Sequence, residues 1–174
     1  MFWIATGIGI VATLLEVGSY LCRARSGILA WQVASALCWT VHFLLLEAGT
    51  GMAMNLIGAV RQAVFFHRGR SHWAGWGMWP WVFGILFTTG AAAAWDGPRS
   101  ILPLAAMLIS TAAFWQMRTK SLRLIAMIPP PLWFIYNLSC GSWPGMVTEV
   151  TILVSQLAGF LRWEKKIAPG PESG

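Results

Sequence analysis

The chain has 174 residues, of which 57% are hydrophobic and 10% charged, with a net charge of +6 and a mean hydropathy of +0.63. Soluble domains carry roughly a quarter of their residues as charges, so a soluble enzyme or soluble binding module of this length is excluded. The basic residues sit in short clusters beside apolar runs rather than along one continuous face, which excludes nucleic acid as a partner.

Apolar runs long enough to cross ~30 Å of hydrocarbon recur along the whole sequence, and polar breaks divide it into seven predicted membrane spans. The first covers 3–22 and ends at Arg23 and Arg25. It has neither a basic start nor a small-residue cleavage site, so it reads as a span rather than a cleaved signal peptide. The second covers 27–46 and ends in the turn 47–51. The third covers 52–67 and runs into the polar stretch between His67 and His72. The fourth covers 74–94 and ends before Asp96, Gly97 and Pro98. The fifth, sixth and seventh cover 100–117, 121–139 and 145–163. Residues 164–174, rich in Pro, Gly and charge, are expected to form a tail that is disordered from 167.

This scheme puts Arg23, Arg25, Arg68, Arg70, Arg118, Lys120, Arg123, Arg162, Lys165 and Lys166 on one side of the membrane. Arg99 alone falls on the other side, and Arg61 lies within a span. The positive-inside rule then places the N-terminus outside and the C-terminus in the cytoplasm. Trp3, Trp31, Trp73, Trp76, Trp95, Trp115, Trp143 and Trp163 lie near span ends, where interfacial anchoring accounts for them. Trp39 and Trp133 lie well inside their spans.

Sliding the chain against itself by 94 residues aligns Trp39 with Trp133, and the register holds without a gap from there to Arg68 and Arg162. Gly51 and Met52 then match Gly145 and Met146, Gln62 matches Gln156, and Phe66 matches Phe160. Spans one to three therefore look like spans five to seven, with span four as a linker. Because three spans and a linker make an even number of crossings, the two copies share one orientation. Parallel repeats of this kind build transporters whose site lies at the repeat interface. The expected organisation is a bundle over 1–70, a linker span over 71–97, a second bundle over 98–166 and the tail over 167–174.

Several stretches resemble a known family. The plan of three, one and three spans with an outside N-terminus resembles the MtN3/saliva-like superfamily of SWEET sugar transporters and PQ-loop proteins. The runs VHFLLLEAGTGMAMNLIGAVRQ (41–62), LIST (108–111) and WFIYNLSCGSWPGMVTEVTILVSQLAGFLRW (133–163) resemble the YgjV family of bacterial inner-membrane proteins. The resemblance covers nearly the whole chain. It implies an all-α polytopic inner-membrane protein of two parallel three-helix bundles joined by a linker helix, with a transporter-like fold. In SWEET proteins a Trp on the second helix and an Asn sixteen residues later line the sugar cavity of each bundle. Trp39 and Asn55 match that pattern, whereas the second copy has Trp133 followed by Glu149. A carboxylate there suits a cation, an amine or a proton-coupled solute better than a neutral sugar. The Pro-Gln hallmark of the superfamily is absent, because Gln62 and Gln156 have no preceding Pro.

Helix arithmetic places Trp39 and Asn55 at one depth, ~18 Å from the inner surface, and Trp133 and Glu149 at the same depth by the same count. His42 lies one turn from Trp39 on the same face, Tyr136 holds the corresponding place in the second copy, and Asn137 is the i+4 neighbour of Trp133. These seven residues form the candidate substrate site. An ionisable group such as Glu149 inside hydrocarbon is costly and points to function. Glu16 and Arg61 lie at similar depth and are expected to form an ion pair or a cytoplasmic gate element. The proline run 129–131 reads either as a gating hinge or as a static kink. Cys22, Cys38 and Cys140 have no metal-ligand spacing, and no Gly-rich phosphate loop occurs, so no metal, cofactor or enzymatic activity is expected. The expected function is a small-solute transporter taking a sugar or another small polar or cationic metabolite, working by alternating access. The alternatives are a membrane scaffold or accessory subunit whose polar residues only join helices, and an intramembrane enzyme. The partners are a small solute and the lipid bilayer, with homo-oligomerisation left open.

Overall fold

A computed structural model of the chain describes residues 1–21, 25–115 and 125–167, with side-chain environments for 1–19, 26–115 and 125–157. These residues form seven α-helices and no strand. They are α1 (Phe2–Leu21), α2 (Arg25–Leu45), α3 (Gly49–His67), α4 (Trp79–Ala93), α5 (Ile101–Trp115), α6 (Pro129–Ser139) and α7 (Trp143–Ile167). Short 3-10 turns at His72–Gly75 and Pro98–Ser100 lead into α4 and α5. Each predicted span thus contains one helix, and the differences lie at the ends.

Two of those differences have clear causes. Residues 121–124 of the sixth predicted span lie outside the described part of the chain, and the helix that carries the proline run starts at Pro129, after helical residues 125–126 and a turn at 127–128. A proline there lacks only an N–H that would have no intrahelical partner, and its fixed φ suits a helix start. The run therefore opens α6 directly after a short break in the helical chain. At the other end, α7 continues through Glu164, Lys165 and Lys166 to Ile167, where a tail was expected. Glu and Lys are strong helix formers, so charge alone does not end the helix. Residues 168–174 lie outside the described part of the chain.

α2 and α6 end alike. Glu47 and Gly141 both take left-handed backbone conformations, with φ of 56° and 70°. The Ala48 N–H then donates to the Phe43 carbonyl, and the Ser142 N–H to the Asn137 carbonyl, each at 2.9 Å. This reversed pattern satisfies carbonyls that a helix end leaves over. Both members of each matched position are 94 residues apart.

The helices close into a ring. α1 and α3 both pack on α2, α4 lies between α3 and α5, α6 joins α5 to α7, and α7 returns to α1. Leu14, Trp81, Ile85 and Val154 are exposed on the outer surface of the ring. Arg61, His42, Asn137, Thr50 and Thr148 are among its most buried side chains. Apolar outside and polar inside is the distribution that hydrocarbon imposes, since polar groups there must turn inward to find partners. Segments Phe2–Ser19 and Ser26–Leu45 are long and apolar enough to cross a membrane by length and composition.

Candidate functional site

A cavity of about 140 Å³ lies inside the ring, with walls from α1, α2, α3, α5, α6 and α7. Its lining includes Trp39, Asn55, Trp133, Asn137 and Glu149, together with Glu16 and Arg61. The equal depths counted along the helices therefore coincide with one shared wall. Most of the lining falls into pairs at the 94-residue spacing. Trp39 pairs with Trp133, Asn55 with Glu149, Gln62 with Gln156, and Phe43 with Asn137. Glu16 pairs with Ser110, Gln32 with Ala126, and Ser35 and Ala36 with Pro129 and Pro130. The spacing holds on α1 and α5 as well, beyond the stretch where sequence identity shows it.

Glu16 and Arg61 do not form the expected ion pair. Each has partners of its own, and the ion pair present among the described residues joins Arg99 to Asp96. The Trp39 indole N–H donates to Glu16 Oε2 at 2.8 Å, and the Ser35 hydroxyl lies 3.5 Å from the same oxygen. Arg61 Nη1 donates to Thr111 Oγ1 at 2.7 Å and to the Met107 carbonyl at 3.2 Å. Its guanidinium carbon lies 5.3 Å from the ring centres of both Phe87 and Phe114. Similar depth brings two residues to one level, but Glu16 turns toward α2 and Arg61 toward α4 and α5.

His42 and Tyr136 also leave the cavity. They belong instead to two matching fastenings at the end of the ring that carries the α2–α3 and α6–α7 turns. His42 Nδ1 donates to the Ala5 carbonyl at 2.7 Å, which leaves Nε2 to accept from the Ser142 hydroxyl at 2.8 Å. Tyr136 accepts the Gly51 N–H at 2.8 Å and reaches Asp96 Oδ2 at 3.4 Å. Thus each side chain crosses from its own half to the start of the third helix of the other half. Gly51 has no room for a methyl group, since a Cβ there would lie 2.8 Å from the Tyr136 ring and 2.9 Å from Phe43. Gly145, its match, likewise has the Asn137 side chain where a Cβ would stand.

Asp96 organises the second fastening. It accepts the Ser100 hydroxyl at 2.6 Å and the Thr50 hydroxyl at 3.2 Å, and lies 3.5 Å from Arg99. Burial alone would raise its carboxyl, but the Ser100 hydroxyl, the Arg99 charge and the Thr50 hydroxyl together hold it below its usual value. Below this level Phe43 stacks on Trp133, with ring centres 5.9 Å apart, and closes the cavity on that side. In the other direction the lining continues through Pro129, Ala126 and Phe114 toward the end where α5 stops and α6 begins.

Sequence reasoning left out Phe43, Gln32 and the pair Gln62 and Gln156. A helical repeat of seven was the available signal. Gln62 follows Asn55 by seven, Gln156 follows Glu149 by seven, and Gln32 precedes Trp39 by seven, so each shares a face with a named residue. The oxygens Gln32 Oε1, Gln62 Oε1, Asn137 Oδ1 and Gln156 Oε1 and the Arg61 Nε are buried without a protein partner. All five residues line the cavity. An unpartnered buried polar atom costs about 1–3 kcal/mol, so their gathering at one place marks a surface built to meet something other than protein.

Helices closed into a ring, apolar outside and polar within, define a polytopic membrane protein with an internal polar cavity. A family model described as a bacterial inner membrane protein, Imp-YgjV, matches residues 3–167. The chain belongs to this family and is an inner-membrane protein. The inner membrane protein YgjV of Escherichia coli (strain K12) is 24% identical over 163 residues, covering 93% of this chain and 85% of that protein. No solved structure matches.

Proposed function

We infer that the chain is a small-solute transporter of SWEET-like architecture working by alternating access. In this reading α1–α3 and α5–α7 are two parallel three-helix bundles joined by α4, with the N-terminus outside and the C-terminus cytoplasmic. The observation that carries it is the cavity itself, whose walls are equivalent positions of the two halves and whose unpartnered polar atoms are concentrated there. Parallel repeats place transport sites at such an interface. The fastenings of His42 and Tyr136 supply a second element, a seal between the halves on the outer side. The cavity lining then extends toward the cytoplasm, and rocking of the halves would part the seal and close the inner end.

Transport is tested by uptake of labelled sugars, polyols and amines into proteoliposomes holding the full chain. Wild-type protein is expected to move at least one class, with Asn55→Ala and Glu149→Gln each slowing it more than tenfold. Equal flux in wild type and both variants would remove the site, and no flux for any class would leave the accessory-subunit reading in its place.

A further inference from the structure

The ring cavity holds two carboxylates from opposite halves of the chain, Glu16 and Glu149. Only Glu16 Oε2 has protein donors, and among the described residues no hydrogen-bond donor reaches Glu149. Among the described residues the one cationic side chain in the wall is Arg61, held through Nη1 by Thr111 and the Met107 carbonyl and flanked by two phenyl rings, with its Nε unpartnered. Gln32 and Gln62 are more than nine-tenths buried, and their side-chain oxygens lack partners. Four aromatic side chains, Trp39, Phe43, Phe114 and Trp133, complete the wall.

Resting on the transporter reading of this cavity, we propose that it binds a small protonated amine. The ammonium group is taken by the Glu16 and Glu149 carboxylates, with the amide oxygens of Gln32 and Gln62 as further acceptors and the aromatic wall around the carbon chain. With an ammonium bound between them both carboxylates are ionised and only accept hydrogen bonds, so the ligand must donate. An anion would meet two carboxylates against one occupied guanidinium. A neutral alcohol or sugar brings no countercharge, and a buried carboxylate left unpaired takes up a proton instead of holding its charge, so such a ligand gains no ion-pair attraction here. Aromatic rings favour an adjacent cation in the same setting. The volume of about 140 Å³ limits the ligand to roughly the size of benzene, which fills a cavity of about 150 Å³.

The test uses the full chain in lipid nanodiscs and three probes of matched shape: n-butylammonium, 1-butanol and butyrate. Calorimetric titration should show butylammonium binding at least tenfold more tightly than either of the others. Glu149→Gln and Glu16→Gln should each weaken it at least tenfold, and the second variant serves if the first does not fold. If butanol or butyrate binds more tightly and Trp133→Ala weakens that binding, the amine assignment fails while the cavity remains a solute site. If butylammonium binds but neither Glu variant changes its affinity, the amine assignment also fails. If no probe responds to any substitution in the wall, both the assignment and the transporter reading fall.

Discussion

The Trp39 indole N–H donates to the Glu16 carboxylate at 2.8 Å, joining α2 to α1 at the wall of the cavity. Sequence reasoning treated these as members of separate sets, one binding residue and one half of an ion pair. Their bond makes Trp39 the residue that aims Glu16. Trp39→Phe keeps an aromatic ring, smaller than the indole, but removes the donor, leaving a buried carboxylate oxygen to the weaker Ser35 contact. The expected cost is about 1–2 kcal/mol, read from reversible unfolding in mixed micelles. Trp39→Phe in a Glu16→Gln background should cost less, and equal costs in both backgrounds would mean the bond contributes nothing.

In the proposed orientation, with the N-terminus outside, the paired fastenings of His42 and Tyr136 should govern access from the outer side. In a protein whose native cysteines are replaced, a cysteine placed at Asn55 reports whether water reaches the cavity. His42→Ala combined with Tyr136→Phe removes both cross-half bonds. Labelling of that cysteine by a membrane-impermeant thiol reagent added outside should then rise about tenfold or more, in line with the loss of about 1–2 kcal/mol of closure. Unchanged labelling would show that the Phe43–Trp133 stack alone holds the outer side shut.

The matched ends of α2 and α6 allow one half to correct the other. Glu47 adopts the left-handed conformation that Gly141 takes without steric cost. Glu47→Gly should therefore stabilise the chain by up to about 1 kcal/mol, and Gly141→Ala should destabilise it by a similar amount. Thermal unfolding of the two single variants in one detergent checks both signs.

Asp96 predicts the acid response of the end of the ring that carries the α2–α3 and α6–α7 turns. Its folded carboxyl is held below the usual 3.8, so on acidification the unfolded chain takes up the proton first. The stabilisation is present in full above pH about 5 and is lost as pH falls through the folded value. Wild-type stability should decline over that acid range more steeply than that of Asp96→Asn, which cannot titrate there. Parallel acid limbs would show that Asp96 does not couple to folding.

Much of the fold was legible because hydrocarbon imposes a simple rule on length and polarity, and the seven apolar runs each became one helix. Trp39, Asn55, Trp133 and Glu149 were legible as a group because spacing along antiparallel helices fixes depth. Direction around each helix was not fixed in this way. His42 follows Trp39 by three, close enough to share its face, yet one turn higher it meets the start of α7 and the backbone of α1 instead of the cavity. Arg61 and Glu16 share a level but face different neighbours. The place of the proline run in the first turn of α6 depends on where the preceding helical stretch stops, which composition does not reveal.

The spacing of 94 also bears on how the cavity acquired unequal walls. At the two acidic positions the halves disagree: Glu16 is matched by Ser110, and Glu149 by Asn55. A dimer of two identical first halves would carry the Glu16 acid twice and the other acid not at all, and a dimer of second halves the reverse. Covalent fusion removes that constraint, since each half drifts independently while the backbone frame is kept. The single chain can thus hold a directional electric field across its interior, one that strict twofold symmetry forbids.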